Sequence, residues 1–205
     1  LFVITPVVAF YLLRDWDHMV ARIDGWLPRD HLEEIRNLAR EMDDVVSGFV
    51  RGQVSVCVIL GTFYAVGLAL TGLNFGLLIG MGAGLVSFIP FVGASLGLIV
   101  SLGVALVQFW PDWTMILMVA AVFAVGQFLE GNILQPNLIG DKTGLHPVTL
   151  MFALFAFGYL FGFVGMLIAV PAAAMIGVLA RFALRQYLAS PIYKGVGGPE
   201  PADPE

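Results

Sequence analysis

Apolar and polar positions are sorted along this chain into blocks rather than mixed. Residues 1–13, LFVITPVVAFYLL, are apolar throughout, whereas about 20 residues are needed to cross a bilayer. This block predicts the end of a transmembrane helix that begins before the first residue. It has neither the basic flank nor the small-residue cleavage site of a signal peptide. From Arg14 to Arg51 the pattern turns amphipathic. Trp16, Met19, Val20, Ile23, Trp26 and Leu27 recur at helical spacing up to Pro28. Asp30 and Glu33 then form a D-x-x-E capping signal, ahead of a stripe of Leu32, Ile35, Leu38, Met42, Val45 and Phe49. Two amphipathic helices are expected here, with one face solvated and the other lying on the membrane or on a neighbouring subunit.

Beyond residue 51 the apolar blocks lengthen. Residues 54–73 suffice for one span. Residues 75–110 form a run of 36, read as two crossings, 75–89 and 94–110, and interrupted at SFIPFVGAS by Pro90 and Gly93 without a charge. A turn that reaches water usually carries polar side chains, so this tip is expected at membrane depth, shielded by protein. Gly80-x-x-x-Gly84 and Gly93-x-x-x-Gly97 fit close helix packing. Trp110-Pro-Asp-Trp113 has the composition of an interfacial turn. Residues 114–135 make the next span. The last apolar run, 148–188, is interrupted at Gly158, Gly162, Gly165 and Pro171. It is too long for one crossing and slightly short for two, which leaves a broken helix, a re-entrant pair or a tight hairpin. The predicted class is an all-α integral membrane protein: a polytopic helical bundle with Pro/Gly-broken or re-entrant hairpins and an amphipathic segment. The expected divisions are 1–13, 14–51, a transport domain over 52–190, and a disordered tail over 191–205.

Composition agrees with the pattern. The 205 residues are 59% hydrophobic and 12% charged, about half the charge of a typical soluble domain, and the mean hydropathy is +0.91. Fifteen of the 25 charged residues lie in 14–51, and only Asp112, Glu130, Asp141 and Lys142 fall between 52 and 180. The net charge of −5 therefore belongs to the polar segment and the tail, and no basic patch with interleaved aromatics suggests nucleic acid. The single cysteine, Cys57, cannot form a disulfide within the chain and reads as a small buried hydrophobe. Six arginines in 14–51, with Arg181, Arg185 and Lys194 near the end, place both regions on the cytoplasmic side by the positive-inside bias.

Candidate chemistry is concentrated in one stretch, EGNILQPNLIGDKTGLHP, residues 130–147. Gln127 and Glu130 share a helix face at i, i+3. A carboxylate in hydrocarbon must pair, face water or hold a proton, and it is by default a site hypothesis. The competing reading puts Glu130 about 24 Å from Trp113 along its helix, wetted at the interface. Pro136 has no N–H, so the carbonyl of Asn132 is expected to lose its helical partner. Asn132, Gln135 and Asn137 then either line a path for a polar solute or cation beside a broken helix, or simply solvate a helix end. Pro90, Gly93, Pro136 and Pro171 are the expected gates or helix breaks. Asp141, Lys142 and His146 suit a cytoplasmic turn, with His146 held extended by Pro147. One histidine without a second ligand does not make a metal site. No G-x-S-x-G, Walker A or H-E-x-x-H sequence is present, so an enzyme or ATP-driven pump has no support, and no cofactor is expected.

FIPFVGASLG, then Q-P-x-x-x-G-x-x-x-G-L-H-P over 135–147 and G-x-x-G-M-x-x-A-V-P over 162–171, resemble the AI-2E family, bacterial inner-membrane permeases of the PerM type. The resemblance implies a multi-pass transporter with further N-terminal helices. It implies export of a small polar solute such as the quorum-sensing signal autoinducer-2, coupled to protons or cations. Some members of the family are associated instead with sodium or lithium exchange against protons. A third reading is a non-transporting oligomeric subunit that docks through 14–50. The expected partners are the lipid bilayer, a small polar solute or monovalent cation, and further copies of the chain.

Overall fold

The structure is a computed structural model, and it describes residues 4–139 and 146–194. Every regular element among them is helical: α1 Ile4–Arg14, α2 Trp16–Trp26, a 3₁₀ turn Arg29–His31, α3 Leu32–Leu70, α4 Gly76–Val86, α5 Val92–Phe109, α6 Trp113–Leu129, a π-helical stretch Glu130–Ile139, α7 Pro147–Ala189 and α8 Pro191–Lys194. Among the described residues, four stretches are long and apolar enough to cross a membrane: Arg29–Leu70, Val92–Phe109, Trp113–Leu138 and Val148–Ala189. The molecule is thus an all-α polytopic membrane protein. It divides into two compact units, residues 1–41 and 42–205.

In the first unit the periodic apolar positions of α2 stay largely exposed, with Trp16 and Trp26 among them. Asp30 lies inside the 3₁₀ turn, whose cap makes no side-chain hydrogen bond, so the capping box read from D-x-x-E does not form. A different pair acts here. Arg36 donates from Nε and Nη2 to both oxygens of Asp24, at 2.8 and 2.7 Å. This planar two-point contact is what guanidinium and carboxylate geometry favours.

The second unit begins within α3. That helix continues unbroken through residues 51–54, so no backbone interruption separates the amphipathic stripe from the first span. Its buried face, Val56, Leu60, Tyr64 and Leu68, forms the core with Leu73, Ala83, Ala105, Ile116, Val119 and Phe123. Burial here depends on glycine. A Cβ on Gly80 would collide with the backbone of Tyr64 and Ala65, and one on Gly84 with the backbone of Gly61. The Gly80-x-x-x-Gly84 pair therefore sets α4 directly on α3, as a small-residue interface does in lipid. Gly97 meets Ala83 and the ring of Phe123 in the same way.

One expectation about span lengths is corrected, and one left open is decided. The first concerns 75–89, read as a crossing. Its helix, α4, has only 11 residues, about 16 Å, against a hydrocarbon core of about 30 Å. The second concerns the break in the last apolar run. Helical geometry persists through Pro171 and fails only at Gly162, with φ 61° and ψ −142°. A Cβ on Gly165 would meet the carbonyl of Phe157, and one on Gly158 would meet Met166. In a straight helix residues eight apart are separated by about 12 Å, so the chain folds back at Gly162 into a tight hairpin. Pro171 lies inside the second arm, where its fixed φ suits helical backbone and only one hydrogen bond is forgone.

Candidate functional site

The helical tip between α4 and α5 is held from inside. Ser87, Ile89 and Pro90 are buried although this is a turn. Gln53 of α3, 2% exposed, donates from Nε2 to the Ser87 carbonyl at 2.7 Å. The Ser87 hydroxyl donates to the Ala83 carbonyl at 2.8 Å, and Phe88 stands edge-on to Phe49. Gly93 is required because a Cβ there would strike the Ser87 backbone. Phe91 takes the left-handed conformation, φ 67°, that a non-glycine residue rarely adopts. This is why a turn without charged residues can stay out of water: a side-chain amide from a neighbouring helix satisfies it. The loop at the opposite end of α4 is closed similarly. Gln108 accepts from the Asn74 backbone N–H at 2.7 Å and donates to the Gly72 carbonyl at 2.8 Å.

The polar centre of the unit lies where α6 widens. α6 starts with Asp112 accepting from the Thr114 N–H at 3.0 Å, between the paired indoles of Trp110 and Trp113. It runs apolar to Gln127, and at Glu130 the winding changes to the π form, which continues to Ile139 with Pro136 inside it. Pro136 is therefore not the end of the helix. In i→i+5 winding the carbonyl opposite its missing N–H is that of Gly131 rather than Asn132, and such bulges recur at functional positions.

Glu130 is 6% exposed. Gln127 Nε2 donates to its Oε2 at 2.9 Å, and Gln135 Nε2 approaches its Oε1 at 3.4 Å. No cationic side chain pairs with it among the described residues. From α3, Cys57 and Tyr64 lie within electrostatic range of its carboxylate. The Tyr64 ring stacks on Phe123 at 4.6 Å between centroids. Its edge and hydroxyl lie against Gly126, where a Cβ would collide with them. The Tyr64 hydroxyl is buried without a hydrogen-bond partner.

Of the five expected path residues, the fold brings together Gln127, Glu130 and Gln135. Asn132 turns its amide to its own helix, donating to the Phe128 carbonyl at 3.0 Å, and it is exposed, as is Asn137. Asp141 and Lys142 lie outside the described residues. His146 is extended (φ −66°, ψ 143°) and caps α7, accepting at Nδ1 from the Val148 N–H at 3.3 Å. Sequence reasoning missed Gln53, Tyr64 and Ser87. The usable signal for the first two was polar side chains on the buried a-type face of α3, three to four residues apart from Val56, Leu60 and Leu68.

A carboxylate buried with no paired cation among the described residues and held by two amide donors can bind and release a proton or a small monovalent cation. The family description "AI-2E family transporter" matches residues 1–185. YrrI of Bacillus subtilis, named as a proposed transport protein, is 33% identical over 180 residues, covering 88% of this chain and 50% of that protein. PerM of Escherichia coli K12, named as a proposed permease, is 35% identical over 178 residues, covering 85% of this chain and 49% of that protein. The chain spans about half the length of the curated relatives it matches. No solved structure matches it. With a family match over nearly its whole length and a polytopic helical fold, this chain belongs to the AI-2E family of transporters.

Proposed function

We propose that the protein exports a small polar solute of the autoinducer-2 kind across the bacterial inner membrane, and that Glu130 takes the coupling proton or monovalent cation. The observation that supports this reading is the Glu130 carboxylate, buried among apolar helices with Gln127 and Gln135 as its hydrogen-bond donors and, among the described residues, no cation paired with it. Burying an unpaired charge costs several kcal/mol, and a protein that only had to pack would place an apolar side chain there. Ion binding gives the position a use. Gln127 and Gln135 set the geometry of the carboxylate. The latched turn at Pro90 and Gly93, against α3, is one candidate gate, and the Gly162 hairpin another. The 14–51 region and the polar stretch after α6 face the cytoplasm in this reading, and the transporter works as an oligomer of identical chains.

The test is transport by the full-length protein in proteoliposomes, with autoinducer-2 and other small polar solutes compared under separate proton and sodium gradients. Glu130→Gln should lose gradient-driven flux by about tenfold or more. Normal flux by that variant at every imposed gradient would exclude the coupling role. Sodium-dependent proton flux indifferent to autoinducer-2 would assign the protein as a cation/proton antiporter. Absence of any flux, with assembly lost on deletion of 14–50, would assign it as a structural subunit.

A further inference from the structure

π winding is rare and occurs mostly as single-turn bulges within α-helices. At the end of α6 it runs for ten residues, Glu130–Ile139. A form this much less common than α winding has to be held, and two features hold it here. Pro136 lies inside the stretch, and in α winding its ring would meet the carbonyl of Asn132, four residues before it. The other feature is a side-chain contact. Gln135 Nε2 approaches Glu130 Oε1 at 3.4 Å, between residues five apart.

That spacing belongs to one winding only. An α-helix turns about 100° per residue and a π-helix about 80°. Gln135 therefore lies about 40° from Glu130 around a π axis, but about 140° away around an α axis. For Asn137 the order reverses, at about 160° in π winding and about 20° in α winding. Asn137 is exposed in the structure, as the π form requires. Leu134 and Leu138 pack on the core, and both stay within about 80° of Glu130 in either winding. Apolar burial thus does not choose between the two forms. The amides do.

Resting on the reading of Glu130 as the coupling group, we propose that residues 130–139 are a winding switch set by the occupancy of that carboxylate. Ionised and unoccupied, Glu130 holds the Gln135 amide by its charge, and the stretch is π-wound as observed. A proton or monovalent cation on the carboxylate withdraws that charge, and the backbone returns to α winding. Gln135 then leaves the face of Glu130 and Asn137 enters it, further along the polar stretch. The two forms lie close in free energy for a stated reason. The 3.4 Å contact is at the long end for a hydrogen bond, and Pro136 makes the α form less favourable than in an ordinary helix. The groups that face Glu130 are few. Cys57 and Tyr64 come from α3, and Gln127 and Gln135 come from its own helix. α4 and α5 contain no titratable residue.

The experiment measures how fast a membrane-impermeant maleimide labels single cysteines in the full-length protein in nanodiscs. It is run at alkaline pH, with Cys57→Ser and every other native cysteine replaced. Asn137→Cys reports the switch, and Asn132→Cys, about 160° from Glu130 in both windings, is its control. Adding Glu130→Gln imitates the neutral carboxyl, and it should slow labelling at 137 by about fivefold or more while leaving 132 unchanged. Equal rates at 137 with either residue at 130 would overturn the proposal. So would a change at 132 as large as that at 137, because the whole stretch would then be loosening. Should Glu130→Gln fail to fold, Gln135→Leu removes the π-specific contact and keeps the charge. It should slow labelling at 137 in the same way, and an unchanged rate would sink the proposal. Gradient-driven flux tests the underlying reading separately. A Glu130→Gln protein that transports normally defeats the coupling role, whereas one that loses flux with labelling unchanged defeats only the switch.

Discussion

The two Gly-rich, Pro-containing apolar runs look alike in sequence and fold differently. The run that becomes α4 and α5 turns at 87–91, around Pro90, and the turn is enclosed: Ile89 is 1% exposed and Gln53 bonds to the Ser87 carbonyl. The run that becomes α7 turns at Gly162, nine residues before its proline, and that turn is bare. Tyr159 is 92% exposed, and Phe161 and Phe163 are each 60% exposed. In the first hairpin close approaches are made to another helix, α3, at Gly80 and Gly84, as well as between its own parts at Gly93 and Gly97. In the second they are made by one arm to the other, at Gly158 and Gly165. Proline therefore does not mark the turn in either a necessary or a sufficient way. What marks it is where backbone can reverse, and what remains nearby to satisfy the freed polar groups.

The largest effect that would break this comparison is expected at the α3–α4 crossing. Gly84→Leu puts a side chain into the Gly61 backbone, which cannot yield as a flexible side chain would. A loss of about 3 kcal/mol is expected, seen as a collapse of detergent-solubilised, monodisperse protein. Gly82→Ala on the same helix meets nothing within 4 Å and should be neutral or stabilising by up to about 1 kcal/mol. Equal behaviour of the two variants would show that α4 does not rest on α3 through glycine. A smaller effect is expected at the bare turn. Gly162→Ala forces alanine into φ 61°, ψ −142°, at a cost of about 1–3 kcal/mol, and should lower the thermal midpoint of the purified protein. An unchanged midpoint would mean that the hairpin does not turn there.

The smallest effect lies away from both turns, in the first unit. The Arg36 guanidinium bonded to Asp24 holds that carboxyl below the ordinary aspartate value. Its folded pKa being depressed, the pair contributes stability above the ordinary value and loses it as pH falls through the lowered one. Both partners are solvated, so screening keeps the contribution slight. Carbon-detected NMR titration of Asp24 should return to the ordinary range in Arg36→Gln. No change in that variant would mean that the two-point contact is not maintained.

The candidate site was partly legible for the same reason that the hairpins were only partly legible. Glu130 announces itself, because a charge in an apolar run has few explanations. Gln127 follows from helical spacing. Asn132 and Asn137 looked equivalent to Gln135, yet they point elsewhere, because π winding from Glu130 onward changes the angular step per residue. Tyr64 lies 66 positions before Glu130 and carries no local mark. Its neighbourhood to Gln127 comes from the stacking of α3 on α6 through Phe123 and the gap left at Gly126.

The amino-acid order alone determined the membrane class, the helical content, the glycine pair that packs α4, and the one acid that has to be explained. These follow from solvation: apolar runs, backbone hydrogen bonding and the cost of a buried charge depend on composition and spacing within one segment. The tertiary structure decided where each long run turns, which amides reach Glu130, and that Tyr64 of α3 lies beside them. Those are contacts between distant segments, and they depend on how closely backbones can approach, which no single segment encodes.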